Sequence, residues 1–84
     1  VADAADRIRA DYITRLVRCI HVAIEKGADV RGFMYWSLLD NYEWALGFTK
    51  RFGLVEIDFD TLERNVRPSA YVYKEIIERN AMLE

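Results

Sequence analysis

One short apolar segment, residues 30–36, limits what this chain can fold into. It reads Val-Arg-Gly-Phe-Met-Tyr-Trp, a composition typical of a buried strand, and Gly32 inside it predicts a close approach of backbone or side chain. A helical pattern precedes the segment and another closes the chain, so the predicted strand has no sheet partner. Because an unpaired strand leaves its N–H and C=O groups without acceptors and donors, we expect neighbouring strands from other polypeptide.

Residues 3–26 carry the clearest helical pattern of the chain. Asp3 or Asp6 is a suitable N-cap, and Gly27 suits the left-handed position beyond the helix end. Apolar side chains recur at spacings of three and four residues, as on one face of an amphipathic helix. They form two rows, Ile8, Tyr12, Leu16, Cys19 and Ala23, and Ile13, Val17, Ile20 and Ile24. Cys19 lies in this stripe, which favours a buried inert thiol over a nucleophile.

Residues 37–52 lack regular periodicity and predict a long loop, with one turn of helix over 38–44. Loops of this length in compact domains are usually functional. The alternating residues 54–58 and a turn-rich stretch after them predict a small β-hairpin. The predicted order is therefore helix, strand, long loop, hairpin and helix, which is an α/β chain.

The last helix is predicted from Ser69, a suitable N-cap directly after Pro68, to Arg79. Asn80 is a plausible C-terminal stop for it.

Size and charge exclude several classes of partner. The chain has 84 residues, enough for one small domain at most, yet its hydrophobic content is 52%. Twelve basic and fourteen acidic residues are interspersed and give a net charge of −2, which argues against nucleic acid. No apolar run approaches the ~20 residues of a membrane span. Residues 1–3 lack signal-peptide features and no Met begins the chain, so we expect a cytoplasmic location and a piece of a longer polypeptide.

Residues 35–44 place two tryptophans on either side of two carboxylates, Asp40 and Glu43. A sugar ring rests its C–H faces on an indole, and a carboxylate accepts hydrogen bonds from its hydroxyls. Two carboxylates also perform glycoside hydrolysis, with a separation of about 5–5.5 Å in retaining enzymes. Solvated loop charges are the commoner explanation of such a pair, and Trp36 and Trp44 are compatible with core or interface positions.

The acidic stretch of Glu56, Asp58 and Asp60 matches no calcium-binding loop of the 12-residue type. We therefore expect no metal site and no cofactor in this chain.

A longer pattern resembles the C-terminal signature of glycoside hydrolase family 1, whose members are retaining β-glucosidases, β-galactosidases and 6-phospho-β-glycosidases. The pattern is W-S-L-L-D-N-Y-E-W at 36–44, then Gly47-Phe48, R-F-G-L-V at 51–55, Asp58 and R-P-S-A-Y at 67–71. It covers nearly the whole chain. The resemblance implies that residues 1–84 are the C-terminal fragment of a single (β/α)8 TIM barrel, comprising helix 7, strand 8 and helix 8. In such barrels the loop after a strand lies on the catalytic face.

The resemblance also implies substrate-binding roles for Trp36, Glu43, Trp44 and Phe52. Glu43 would accept hydrogen bonds from O4 and O6 of the sugar in the −1 subsite, and Trp44 would donate its indole N–H. Trp36 would form the floor of that subsite and Phe52 a wall. A cis peptide between Trp36 and Ser37 is expected as well. Glu43 would repel a 6-phosphate, which favours terminal β-glucosyl, galactosyl or fucosyl groups.

The family's two catalytic glutamates lie in an N-E-P motif after strand four and an E-N-G motif after strand seven, and neither motif occurs here. We therefore expect no catalytic residue in this chain and no activity from it alone, since the retaining mechanism needs both groups. The expected partners are the rest of the barrel, as the same or a separate chain, and a β-glucoside. The alternative is an isolated structural or carbohydrate-binding fragment without activity.

Overall fold

The computed structural model describes residues 4–82. Its first helix, α1, spans Ala4–Glu25 and confirms the helix predicted over 3–26. Asp3 lies outside the described residues, and Asp6 lies in the first turn rather than before it. Gly27 has φ of 100°, the left-handed conformation expected beyond the helix end. Neither α1 nor any other helix within residues 4–82 is long and apolar enough to cross a membrane.

Residues 30–36 pair with no strand in the part of the chain that the structure describes. A parallel bridge joins Leu39 to Val55 farther along, at the start of the hairpin. Within residues 4–82, a Cβ placed on Gly32 would meet nothing within 4 Å, so these residues do not make the close approach predicted there. A parallel strand needs a crossover connection before its partner, and residues 4–82 provide none for this segment.

The predicted hairpin is confirmed as two antiparallel strands, β1 at Val55–Ile57 and β2 at Arg64–Val66. Its register places Glu56 opposite Asn65. Asp58 shapes the turn, because its Oδ1 accepts hydrogen bonds from the N–H groups of Asp60 at 2.9 Å and Thr61 at 3.2 Å. These two bonds hold the pKa of Asp58 below its ordinary value, because they stabilise the charged carboxylate.

The second helix, α2, spans Pro68–Arg79, and its N-cap is Arg67 rather than the predicted Ser69. Pro68 occupies the first helical position, where its missing N–H costs no hydrogen bond. Ser69 is fully buried, and both its N–H and its hydroxyl donate to the Asp6 carboxylate of α1, at 2.9 and 2.6 Å. The prediction failed because the acceptor that caps this helix comes from another element. Asn80 has φ of 51° and ends the helix as predicted.

The core lies between the two helices and the segment that precedes the loop. Ile13 of α1, Leu54 and Ile76 of α2 are buried together. Partly buried side chains surround them, namely Val17, Phe33, Tyr35, Ala70, Val72 and Tyr73. Phe33 and Tyr73 meet edge to face with ring centroids 5.8 Å apart. These contacts dock residues 33–35 against both helices and so position the start of the loop.

Much of the apolar stripe of α1 stays exposed. Ile8 is 71% and Tyr12 is 55% accessible, and Cys19 is exposed as well. The buried thiol predicted at Cys19 is therefore wrong for this chain. Of the two predicted rows, the one containing Ile13 packs against α2, whereas Ile8, Tyr12 and Cys19 of the other row are exposed.

Candidate functional site

Ser37 fixes the position of Trp36 beside Phe52. Its N–H donates to the Phe52 carbonyl at 3.3 Å, and its own carbonyl accepts the Leu54 N–H at 2.9 Å. The peptide bond between Trp36 and Ser37 is cis, as the resemblance implied. Ser37 itself is buried, and its hydroxyl donates to the Leu39 carbonyl at 2.8 Å. The backbone on both sides of the long loop is therefore joined at this point.

Trp36 and Phe52 line one open cavity, and their side chains are 67% and 40% exposed. The rest of its lining comes mainly from α1, namely Ala5, Ile8, Arg9 and Tyr12, with Tyr35. Arg9 ties the helix to the loop, because its guanidinium donates to the Arg51 carbonyl at 2.6 Å. The structure thus brings together two of the four predicted site residues on a surface with an aromatic lining.

Glu43 and Trp44 lie in a tight turn at the tip of the loop. The Glu43 N–H donates to the Gly47 carbonyl at 2.7 Å, and the Glu43 carbonyl accepts from the Leu46 N–H at 2.8 Å. A 3-10 helix occupies Trp44–Leu46, so the helical turn predicted over 38–44 is wrong. Trp44 has φ of 41°, a conformation that costs a bulky residue of order 1–3 kcal/mol. Surrounding contacts must hold this turn in place.

The Glu43 carboxylate makes no hydrogen bond or ion pair with any residue in the range 4–82. The Trp44 side chain is 80% exposed and Glu43 is half-buried. Because a carboxylate offers about four acceptor positions and an indole N–H offers one donor, the pair can bind a ligand with several hydroxyls. Glu43 and Trp44 do not line the cavity of Trp36 and Phe52.

Asp40 is a structural anchor, which the sequence reasoning missed. Its side chain is fully buried and forms a two-pronged ion pair with Arg67, at 2.8 and 3.0 Å. It also accepts the N–H groups of Gly53 at 2.9 Å and Ile57 at 3.3 Å. Burial opposes the charged form, but the bonds from these three residues outweigh it and lower the pKa of Asp40.

The interpretations of Asp40 as a catalytic partner of Glu43 or as a solvated charge are therefore both wrong. Its carboxylate oxygens face fixed donors, and it stays ionised with no proton to transfer. Gly53 permits this arrangement, because a Cβ there would lie 2.3 Å from the Asp40 nitrogen. A signal was present in the R-F-G-L string, where a glycine between two large side chains allows a close backbone approach.

Residues 4–82 contain no group of three or more His, Cys, Asp or Glu side chains arranged to hold a metal ion. The acidic stretch in the hairpin instead forms the turn around Asp58. His21 pairs with Glu25 at 2.8 Å on an exposed part of α1.

Known proteins resemble this chain over nearly its whole length. The family profile described as "Glycosyl hydrolase family 1" matches residues 2–82. The chain is 50% identical over 84 residues to a "Beta-galactosidase" of Saccharolobus solfataricus, and it covers 17% of that protein. It is 47% identical over 75 residues, 89% of its length, to "Beta-glucosidase A" of Acetivibrio thermocellus, again covering 17% of that protein.

A solved structure described as "beta-glycosidase from Pyrococcus horikoshii" matches with a TM-score of 0.92 and 49% identity. The match covers 99% of this chain and 20% of that one. The chain therefore spans about a fifth or less of the length of the proteins that it resembles.

Proposed function

The chain belongs to glycosyl hydrolase family 1, and from this membership we propose that it is the C-terminal fragment of a single (β/α)8-barrel β-glycosidase. In this proposal α1 is helix 7, residues 30–36 form strand 8 and α2 is helix 8. The unpaired segment 30–36 and the exposed row of α1 support it, because both need neighbours to bury their backbone and apolar groups. The rest of the barrel is the expected partner, in the same or a separate chain, and a cytoplasmic location stays a prediction.

The proposed role of this fragment is to bind the terminal sugar in the −1 subsite. Glu43 accepts hydrogen bonds from two adjacent hydroxyls, O4 and O6, and the Trp44 indole N–H donates to a neighbouring hydroxyl. Trp36 supports the apolar face of the ring and Phe52 forms a wall. The observation that carries this proposal is the Glu43 carboxylate, which has no partner within residues 4–82 and stands next to an exposed indole.

The bond-breaking groups are proposed to come from the rest of the barrel. Retaining hydrolysis needs an acid/base carboxyl and a nucleophilic carboxylate about 5–5.5 Å apart. Asp40 is occupied by Arg67, which leaves Glu43 without a second carboxylate in this loop. The fragment then contributes charge-assisted hydrogen bonds to the sugar, which are about twice as strong as neutral ones, and they accelerate hydrolysis to the extent that they are stronger in the transition state than in the ground state.

The proposed substrates are β-glucosides, with galactosides and fucosides as further candidates. A carboxylate accepts from an axial or an equatorial O4, so Glu43 does not separate glucose from galactose. A 6-phosphate would bring negative charge against the Glu43 carboxylate, which disfavours phosphorylated sugars.

Glu43→Gln in the full-length protein that carries this fragment tests the proposal. We expect kcat/KM for an aryl β-glucoside to fall about 10- to 150-fold, because one charged hydrogen bond contributes about 1.5–3 kcal/mol. Glu63→Gln, an exposed carboxylate in the hairpin, is the matched control and should leave kcat/KM unchanged. A Glu43→Gln enzyme as active as this control would remove Glu43 from the site, and turnover by the 84-residue chain alone would refute the need for outside glutamates.

A further inference from the structure

Three aromatic side chains connect the tip of the long loop to the turn of the hairpin. Tyr42 and Phe48 meet edge to face, with ring centroids 5.3 Å apart. Phe48 packs in turn on Phe59, at 4.6 Å and an interplanar angle of 53°. We call Tyr42, Phe48 and Phe59 the aromatic clasp. Two of its members belong to the loop and the third belongs to the hairpin, so the clasp adds a side-chain contact between these elements beyond the backbone bridge of Leu39 and Val55.

The clasp flanks the residues proposed to bind the sugar hydroxyls. Tyr42 directly precedes Glu43, and Phe48 directly follows Gly47, so the two rings flank both ends of the turn. Inside the turn, the Glu43 N–H bonds to the Gly47 carbonyl and the Gly47 N–H bonds to the Trp44 carbonyl, at 2.7 and 3.0 Å. Any shift of the clasp therefore moves the whole turn and both of its functional side chains.

The backbone of Trp44 is strained, and this strain favours relaxation of the turn. Its left-handed φ is unfavourable for a bulky residue and persists only where surrounding structure enforces it. Trp44 is highly exposed, so its own side chain contributes little packing. The clasp supplies ring contacts at both ends of the turn, and Thr49 adds two hydrogen bonds from its N–H and its hydroxyl to the Leu46 carbonyl.

Arg51 fixes the hairpin end of the clasp. Its guanidinium carbon lies 4.8 Å from the centre of the Phe59 ring, a cation–π contact. The same guanidinium donates to the Ile57 carbonyl at 2.8 Å and to the buried Asp40 carboxylate at 3.3 Å. Phe59 therefore contacts both Arg51, whose guanidinium is anchored to the core, and Phe48 of the loop.

We propose that Phe59 is a positioning residue for sugar recognition, holding Glu43 and Trp44 in their hydroxyl-binding orientation through the aromatic clasp. This inference rests on the proposed function of Glu43. Phe59 touches no sugar in this scheme, and it acts through Phe48 and Tyr42. Removing its ring leaves the core and the Asp40–Arg67 pair in place, so the loss falls on recognition of the hydroxyls that Glu43 binds.

The test compares two substrates in the full-length protein that carries this fragment. We define the O6 ratio as kcat/KM for an aryl β-D-glucoside divided by that for its 6-deoxy analogue, which lacks one proposed partner of Glu43. Phe59→Ala should lower the O6 ratio about threefold to tenfold, in line with the loss of an aromatic pair. Phe59→Tyr keeps the ring and should restore the ratio to within about twofold of the parent.

A control variant and a double variant separate positioning from general damage. Leu62→Ala changes an exposed side chain in the same hairpin turn, outside the clasp, and should leave the O6 ratio unchanged. In a Glu43→Gln background, Phe59→Ala should lower the O6 ratio no further, because the carboxylate proposed to bind O6 has already been replaced. If Phe59→Ala does not fold, Phe48→Leu removes the central ring of the clasp and should give the same fall.

The outcomes distinguish the two proposals. A Phe59→Ala enzyme that loses activity equally on both substrates, while Glu43→Gln lowers the O6 ratio, overturns the positioning role and leaves the function of Glu43 intact. A Glu43→Gln enzyme with an unchanged O6 ratio overturns the proposed function, and the inference with it. A fall in the ratio for Phe59→Ala that is absent from Leu62→Ala and reversed in Phe59→Tyr supports both.

Discussion

Asp40→Asn should weaken the loop and hairpin more than any surface substitution. The carboxylate is fully buried and Arg67 is 3% exposed. Five hydrogen bonds converge on its two oxygens. They come from two nitrogens of Arg67, the N–H groups of Gly53 and Ile57, and a nitrogen of Arg51. Asparagine has the same shape but offers one acceptor oxygen, so its NH2 group would face donors.

The size of the effect follows from the partner that remains. Arg67 cannot lose its proton, so the substitution leaves a buried cation that has lost its two-pronged carboxylate partner and faces Glu56 Oε2 at 4.0 Å. Breaking a buried ion pair in this way costs about 3–5 kcal/mol. Arg67→Met should cost less than Asp40→Asn, because the orphaned Asp40 carboxyl can take up a proton and keeps the Gly53 and Ile57 N–H groups.

Native-state hydrogen exchange of the full-length protein measures this loss of stability at individual amides near Asp40. The amides of Leu54, Val55 and Arg67 donate to backbone carbonyls around the anchor and report its opening. A loss of 3–5 kcal/mol corresponds to exchange faster by about 100- to 5,000-fold. Arg79→Met, which removes an exposed ion pair with Glu75, is the control, and such pairs contribute less than about 1 kcal/mol.

Two results would refute the reasoning. Exchange in Asp40→Asn within about threefold of the Arg79→Met control would mean that the buried pair does not hold the hairpin. A larger effect from Arg67→Met than from Asp40→Asn would contradict the argument that the buried Arg67 cation is the costly species.

Two further predictions concern pH and backbone approach. The pKa values of Asp40 and Asp6 are lowered from 3.8, so their contribution to stability is present above pH 3.8 and is lost as pH falls through the lower folded values. The urea midpoint of the full-length protein should therefore stay constant between about pH 5 and 7 and should decrease when the pH is lowered below about 4. An equal decrease in Asp40→Asn would contradict this. Gly53→Ala should destabilise by about 3 kcal/mol or more, because its Cβ would lie 2.3 Å from the Asp40 nitrogen. Leu62→Ala, an exposed side chain in the hairpin turn, is the control in the same unfolding assay, and equal midpoints for the two variants would argue against the clash.

Local sequence patterns were sufficient to predict α1, the ends of the helices and the hairpin. The spacing of apolar residues predicted α1, Gly27 and Asn80 marked the two helix ends, and alternation predicted the hairpin. Each of these signals acts over a few residues, where propensity and periodicity are informative. The cis peptide at Trp36 came from the family resemblance instead, since nothing in the residue types alone indicates it.

Longer-range partners could not be predicted from a single sequence. Asp40 meets Arg67 across 27 residues, and Ser69 meets Asp6 across 63. Nothing near Asp40 in the sequence distinguishes a buried anchor from a solvated charge, because the difference lies in which donors the fold brings to it. The candidate site was predicted by resemblance, and its residues Glu43 and Trp44 still depend on the proposed experiments.

The bond between Asp6 and Ser69 sets a rule for building hybrid enzymes. The first turn of α1 supplies the acceptor for the N–H and hydroxyl at the start of α2, so the beginning of one helix depends on the beginning of the other. A crossover between two parent sequences placed after α1 would separate these residues. If either parent lacked the Asp or the Ser, the hybrid would bury an unsatisfied polar group at the start of its last helix. The natural junction for exchange therefore lies before Asp6, with everything from there to α2 inherited as one block.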